Sequence, residues 1–374
     1  MNVERPFWCE VDLDAVRANV AALKALVAPA ALCAVVKADG YGHGAVPVGR
    51  AALDGGADWL AVALVEEGVT LRYAGIDAPI MVLSEPVPDY ADTVIAHDLT
   101  PVVYTPAGIE ALAKAAAADD RTEPFAVHLK VDTGMHRVGC SPDDAIELVA
   151  LIAGHAELEL GGVCTHFAVA DEPDNAYTAA QHDAFLDVVE ALRAAGLPTG
   201  LVHACNTAGA IAVPDARHDL VRIGIGIYGI DPAPALADAV ALQPAMSVKA
   251  RVSYVQDLDA GARISYGLRY ETDRPARIAT VPAGYADGVP RELPHHGGEV
   301  LIRGRRLPMA GTVTMDQFMV DCGDVPVEVG DEVVLLGEQG GEVITAQDWA
   351  DKLNTIAYTI VCGIGPRVPR RYRG

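Results

Sequence analysis

Residues 31–44 read Ala31-Leu-Cys-Ala-Val-Val-Lys37-Ala-Asp-Gly40-Tyr41-Gly42-His-Gly44. The apolar, β-branched run 31–36 has the lettering of a fully buried strand. It ends on Lys37, and glycines follow on alternate positions with Tyr41 among them. A lysine at the mouth of a buried strand loses solvation of its ammonium, which lowers its pKa toward nucleophilic use. Glycines let the main chain approach a ligand and turn N–H groups outward, an arrangement suited to phosphate. Together they fit a carbonyl-bearing cofactor with a phosphate, pyridoxal 5'-phosphate held as a Schiff base on Lys37. The same letters also suit a strand-terminal lysine that reaches into solvent above a tight glycine turn.

Working outward, the apolar run recurs at 59–63, 80–83, 101–104, 126–131, 161–166, 201–205 and 220–223. With 31–36 that makes eight. Alanine-rich amphipathic stretches lie between them, such as 106–118, 141–154 and 181–195. Pro106 and Pro142 fit first helical turns, and Gly154 and Gly196 fit helix ends. Before the first run, Asp12 or Asp14 can cap a helix with Val16, Val20, Leu23 and Leu26 on one face. Eight β-then-α units predict a closed (β/α)8 TIM barrel; an open doubly wound sheet shares the alternation. The polar residues Lys37, Lys130, Asp132, His166, Asn206 and Arg222 collect at the C-terminal ends of the runs, the face where barrel enzymes place their sites. No G-x-G-x-x-G follows the first run, which weakens a dinucleotide-binding reading.

From about residue 241 the pattern changes to alternating runs (247–255, 278–281, 300–302, 319–320, 333–336) separated by Gly, Pro and Asp turns, with one helix near 346–353. The expected organisation is a barrel over 10–240 and a smaller, mostly-β domain over 241–374, with the lead-in 1–9 a candidate to join it. The chain has 374 residues and a formal charge of −23, which argues against nucleic-acid or anionic-membrane partners. No secretory signal opens it and no apolar stretch is long enough to span a bilayer, so a cytoplasmic protein is expected. Seven cysteines, scattered and without a C-x-x-C pair, indicate neither a disulfide framework nor a zinc site.

Further stretches carry chemistry. Asn206-Thr207 and Gly224-Ile225, after the last two runs, offer a hydroxyl and main-chain N–H groups to a phosphate, although Asn206-Thr207 also reads as an ordinary helix cap. Lys130 could pair with Asp132, and Arg222 with Asp219. The strings A-V-V-K-A-D-G-Y-G-H-G from 34 to 44, His128-Leu-Lys-Val-Asp-Thr-Gly-Met-His-Arg-Val-Gly139, Asn206-Thr-Ala-Gly209, Leu220-Val-Arg-Ile-Gly-Ile-Gly-Ile-Tyr-Gly229, Ile264-Ser-Tyr-Gly267, Val281-Pro-Ala-Gly-Tyr-Ala-Asp-Gly-Val-Pro-Arg291 and Gly311-Thr-Val-Thr-Met-Asp-Gln317 occur in this order. In this they closely resemble the alanine racemase family, over nearly the whole chain.

That resemblance implies a pyridoxal-phosphate enzyme interconverting L- and D-alanine, supplying D-alanine for peptidoglycan, with Lys37 and Tyr266 as bases on opposite faces of the substrate. It implies cofactor contacts from Tyr41, His166, Asn206, Thr207, Arg222, Gly224, Ile225 and Tyr358, with Arg222 facing the ring nitrogen. Arg137 would bind the substrate carboxylate or the cofactor's phenolic oxygen, and the Met315 N–H the carboxylate, supported by Lys130 (carbamylated in many members), Tyr285 and Asp316, with Tyr285 and Arg291 lining the approach corridor. A tyrosine with a pKa of about 10 is a poor base at neutral pH, so a donor such as His166 would have to stabilise its phenolate. In the family Tyr266 reaches the partner subunit's site, so the resemblance implies a homodimer with shared active sites. Departures are Thr314 where cysteine is frequent, Ile223 where proline or an aromatic is common, and Thr359 where an acidic residue is frequent. Thr314 and Thr359 lie beside expected active-site residues and bear on substrate preference, not on the reaction. Racemisation of serine, lysine or a broad set of amino acids, or cofactor binding without turnover, are the alternatives.

Overall fold

Eight strands alternate with helices in the computed structural model, which describes residues 5–237 and 239–374. Strand β1 (Phe7–Asp12) and helix Leu13–Val27 precede them. The eight are β2 (Ala31–Val35), β3 (Trp59–Val62), β4 (Ile80–Val82), β5 (Thr100–Val103), β6 (Phe125–Lys130), β7 (Leu158–Cys164), β8 (Leu201–His203) and β9 (Leu220–Ile223). All are parallel, in the spatial order β8-β7-β6-β5-β4-β3-β2-β9. At the seam, Asp219 N–H donates to Val202 O (3.1 Å) and Arg222 N–H to Cys205 O (3.0 Å). The first strand of the series pairs with the last, so the sheet is a nearly closed barrel and not an open doubly wound sheet. Leu32, Leu60, Ile80, Val103, Leu129 and Val163 are fully buried; each such side chain contributes about 1.5–3 kcal/mol on burial.

Local chemistry explains the helix boundaries. Thr105 accepts from Gly108 N–H (3.0 Å) and Pro106 begins the helix Pro106–Ala117. Ser141 accepts from Asp144 N–H over a 3-10 turn (Pro142–Asp144) that leads into Ala145–Gly154. The helix Leu13–Val27 buries Val16, Val20 and Leu23 on its inner face, together with Asn19. The Asn19 carboxamide bonds Ile227 O and both main-chain groups of Gln243.

The chain divides into two compact units. One comprises Asp14–Gly40 and Ala45–Gln243, the barrel; the other holds the described residues up to Leu13, Tyr41–Gly44 and Pro244–Gly374. Residues 1–4 of the expected lead-in lie outside the described residues. The second unit is built on one sheet, ordered β11-β14-β17-β16-β15-β18-β10-β1-β20 with β19 on β18. Its strands are β10 (Met246–Arg251), β11 (Tyr254–Leu258), β14 (Ala276–Val281), β15 (Glu299–Ile302), β16 (Arg305–Ala310), β17 (Phe318–Asp321), β18 (Glu332–Gln339), β19 (Glu342–Ile344) and β20 (Arg370–Arg373). A separate hairpin pairs β12 (Arg263–Ile264) with β13 (Tyr270–Glu271). Strand β1 sits inside this sheet, antiparallel to β10 and parallel to β20, and buries Phe7, Trp8, Cys9 and Val11.

The expected single run 247–255 is two strands. At the break Val252 N–H turns to Asp331 O and Ser253 N–H to Thr280 O, so the chain changes neighbours there. The helix expected near 346–353 is Ala346–Leu353, with a Thr345/Asp348 capping box. No helix among the described residues is long and apolar enough to cross a membrane.

Candidate active site

Immediately after β2 the main chain makes a left-handed turn. Ala38, Asp39, Gly40 and Tyr41 all have φ between 50° and 61°, a conformation that costs a non-glycine residue about 1–2 kcal/mol each. Side chains hold it. Ala38 N–H donates to Glu67 Oε1 (2.6 Å), and Ala45 N–H to Asp39 Oδ1 (2.9 Å). Tyr228 Oη donates to Val35 O (3.0 Å), fixing the strand end two residues before Lys37. Lys37 opens this turn, half-buried. At two of the glycines the main chain approaches protein closely. A Cβ on Gly40 would stand 3.2 Å from Ala45 N, and one on Gly42 would stand 2.5 Å from Val361 O. Gly40 N–H is likewise spent on Val36 O (2.8 Å).

At the end of β9, Arg222 is buried and donates to five acceptors. Nη1 meets His203 Nδ1 (2.7 Å) and His203 O (3.2 Å); Nη2 meets Thr165 O (2.7 Å), Ala204 O (2.9 Å) and His166 Nδ1 (3.4 Å). The alternative Asp219 partnership is not formed; Asp219 instead accepts from Val202 N–H (2.8 Å). Nε makes no hydrogen bond among the described residues. Because a guanidinium only donates, both histidines accept at Nδ1 and carry their proton on Nε2. His203 Nε2–H then donates to His128 Nδ1 (2.9 Å). Burial, and after it the charge of Arg222, holds the pKa of His166 and His203 well below the usual range and that of His128 down to about 4.

Next to this centre, Asn206 caps the helix Thr207–Ala212: its Oδ1 accepts from Gly209 N–H (2.9 Å) and its Nδ2 donates to Phe167 O (3.4 Å). Its Oδ1 thereby serves as an ordinary cap. Thr207 Oγ1 accepts from Gly224 N–H (3.0 Å), which keeps its own hydrogen to donate. The N–H of Ile225 opens a 3-10 turn and has no partner among the described residues. Lys130 is buried at the end of β6 and no ion pair joins it to Asp132. That carboxylate folds onto its own loop, accepting from Gly134 N–H and His136 N–H (3.0 Å each). Burial brings the Lys130 pKa down to about 8; of its charged neighbours, Arg222 and Arg137 push the same way. Arg137 is exposed on the loop after β6.

In the second unit, Tyr41 is buried with its ring centroid 6.0 Å from that of Tyr358. Burial pushes the Tyr41 hydroxyl pKa up. Gly42 O accepts from Arg370 Nε (3.0 Å) and Nη2 (2.9 Å). Tyr266 stands on the turn between β12 and β13, 71% exposed. Its neighbour Ser265 has φ 66° and ψ −176°, which costs a side-chain-bearing residue about 1–3 kcal/mol. Tyr285 and Met315 come from segments laced together: Tyr285 N–H donates to Thr314 O (3.0 Å) and Ala286 N–H to Met315 O (3.1 Å). The Met315 N–H has no partner among the described residues. Arg367 Nη2 donates to Asp316 Oδ1 (2.8 Å), whereas Arg291 pairs at the surface with Glu292 (2.9 Å).

The alanine racemase N-terminal domain family matches residues 11–232, and the alanine racemase C-terminal domain family matches 245–372. The chain belongs to the alanine racemase family. It is 51% identical over 371 residues to an alanine racemase of Symbiobacterium thermophilum, covering 99% of this chain and 98% of that protein. A Thermobifida fusca alanine racemase is 45% identical over 372 residues, 97% of each chain. Among solved structures, alanine racemase from the D-cycloserine-producing Streptomyces lavendulae superposes with a TM-score of 0.94 at 42% identity, covering 100% of this chain and 98% of that one. The Bacillus anthracis alanine racemase with bound L-Ala-P gives 0.93 at 36% identity, covering 100% and 96%.

Several residues that hold these segments in place are inconspicuous in the sequence. Glu67 lies far along the chain from the turn it holds, and Tyr228 reads as part of an apolar run. Asp287 is fully buried and accepts from Nη1 and Nη2 of Arg5 (2.6 and 2.8 Å) as well as from Gly284 N–H (2.9 Å). Only its place inside the Val281–Arg291 motif marked it.

Proposed function

We propose that the protein is a pyridoxal 5'-phosphate-dependent alanine racemase, interconverting L- and D-alanine and so supplying D-alanine for peptidoglycan in the cytoplasm. The observation that carries this reading is Arg222, a permanent cation fixed by five acceptors at the barrel's strand ends, with only Nε–H left to donate. The donor set fits the cofactor. Lys37 would hold it through its amine, and the Thr207 hydroxyl with the Ile225 N–H would receive its phosphate. Asn206 and Gly224 support that pair, and Tyr41 and Tyr358 are further candidates for the phosphate. Arg222 Nε–H would face the ring nitrogen and, having no proton to give at working pH, would leave that nitrogen unprotonated. When bound, the cofactor supplies a ring that withdraws electrons from the substrate α-carbon.

The chain's own groups then move the proton. Lys37, once free, serves one face of the α-carbon and Tyr266 the other. His166 offers its Nε2–H, the kind of donor that stabilises a phenolate. Arg137 and the Met315 N–H would bind the substrate carboxylate, with Tyr285 and Asp316 supporting. Lys130, a buried amine whose lowered pKa leaves part of it neutral, is suited to carbamylation. The resulting anion would offset the charges of Arg137 and Arg222.

The working unit is a homodimer in which one protomer's Lys37 meets the other's Tyr266. Racemisation rates across a panel of amino acids, with the cofactor present and after its removal, test the reading. Cofactor-dependent turnover of both alanine enantiomers ahead of serine and lysine is expected; a preference for serine would overturn the alanine assignment.

A further inference from the structure

Tyr266 stands on an exposed turn, yet a proton-transfer group must be held within about 0.5 Å of its working position. The turn is strained and fastened from one side. Ser265 occupies a region of φ and ψ reserved in practice for glycine, and Gly267 and Leu268 follow with φ of 79° and 51°. Ser265 Oγ donates to Thr312 O (2.6 Å), and Thr312 Oγ1 donates to Tyr266 O (3.0 Å). The single hydroxyl hydrogen of Thr312 is spent on Tyr266. His295 Nε2–H must therefore donate to Thr312 Oγ1 (3.3 Å), fixing the rotor. Thr312 is 2% exposed, so water does not substitute for these bonds. Gly311 completes the fit. With φ 79°, a Cβ there would stand 2.7 Å from both Ile264 O and Ser265 Cβ.

We propose that Thr312 is a positioning residue for proton transfer by Tyr266. Its hydroxyl and its carbonyl clamp the carbonyl of Tyr266 and the side chain of Ser265, holding the strained turn that aims the phenol. The proposal rests on the role of Tyr266 given above. Valine would fill the space of threonine but offer no donor to Tyr266 O, whereas serine would keep it.

The full-length enzyme tests this with Thr312→Val and Thr312→Ser. The first readout is amide hydrogen exchange over residues 262–270, which needs no turnover. Leu268 N–H, which donates to Ser265 O (3.1 Å), should exchange about tenfold faster in Thr312→Val, the effect of one lost hydrogen bond, and near the native rate in Thr312→Ser. The second readout is the α-deuterium isotope effect in each direction. A base that serves one face only, once displaced, raises the effect for one enantiomer and lowers it for the other. Turnover should fall about ten- to a hundredfold in Thr312→Val with little change in KM, and recover in Thr312→Ser.

Unchanged exchange over 262–270 would overturn the clamp. Faster exchange with native turnover and isotope effects would overturn its link to proton transfer. A wild-type enzyme that racemises nothing would defeat the functional reading itself, whatever the exchange data. If Thr312→Val does not fold, Ser265→Ala removes the other half of the clamp, and the same outcomes apply.

Discussion

A guanidinium can donate but never accept, and around Arg222 this one-way chemistry dictates the state of its neighbours. His166 and His203 must present a bare Nδ1 to it, and His203 passes the same constraint to His128. All three are neutral in the folded chain, with pKa values below the ordinary value near 6.5 and, for His128, about 4. The sign of the linkage follows. Below about pH 6.5 the unfolded chain takes up protons that the folded chain refuses, so folding stability is complete above that pH and declines beneath it. Each such proton contributes a slope of about 1.4 kcal/mol per pH unit, so three give about 4 kcal/mol per unit. The half-buried pair His182 and His218, also lowered chiefly by burial, adds in the same sense. The denaturant midpoint should therefore drop steadily from pH 6.5 to about 5.5, before most carboxylates begin to titrate. A flat midpoint over that window would mean that these imidazoles accept protons without unfolding.

Among the elements, strand β1 joins residues most distant along the chain. It lies between β10 and β20, pairing Cys9 with Val248 on one side and Arg370 on the other. Without it, β20 would lose its partner, β10 would keep only β18, and the pocket for Phe7 and Val11 would open, leaving unpaired edges. A fragment covering 244–374 alone should be insoluble or lack a cooperative transition, whereas the same fragment fused through a flexible linker to residues 5–13 should unfold cooperatively. Equal behaviour of the two would show that β1 is dispensable. Such a pairing hardly registers in sequence, because a six-residue strand with two carboxylates among its apolar residues carries no mark of its partners. The barrel strands were legible for the opposite reason: buried on both faces, they are continuous apolar runs bounded by helices with plain caps at Thr105 and Ser141. The polar residues at the strand ends, such as Lys37, Lys130 and Arg222, were legible as candidates because each interrupts an apolar run. The left-handed turn at Ala38–Tyr41 was not, since three of its four residues run against their own preferences and are held by Glu67 and Asp39. Thr312 was hidden too, because its hydroxyl donates to a main-chain carbonyl 46 residues away.

At the scale of the whole molecule, the two groups proposed to move the proton belong to different compact units. Lys37 follows a barrel strand, and Tyr266 rises on the β12–β13 turn of the other unit. Head-to-tail pairing of two chains brings such groups together with one two-fold axis and produces two equivalent sites. Complementation tests this directly. Lys37→Ala chains lose the amine that would hold the cofactor and one of the two bases; Tyr266→Ala chains lose the other base. Each homodimer should be inactive. After exchange of subunits, a shared-site heterodimer has one site with both defects and one with neither, so activity should reach about a quarter of the wild-type value in an equimolar mixture: half the dimers are mixed, each with one competent site of two. If each chain supplies both groups to its own site, every site keeps one defect and mixing restores nothing. Absence of recovery, with exchange demonstrated by a size tag on one chain, would place Lys37 and Tyr266 of a single protomer in the same site and overturn the shared arrangement.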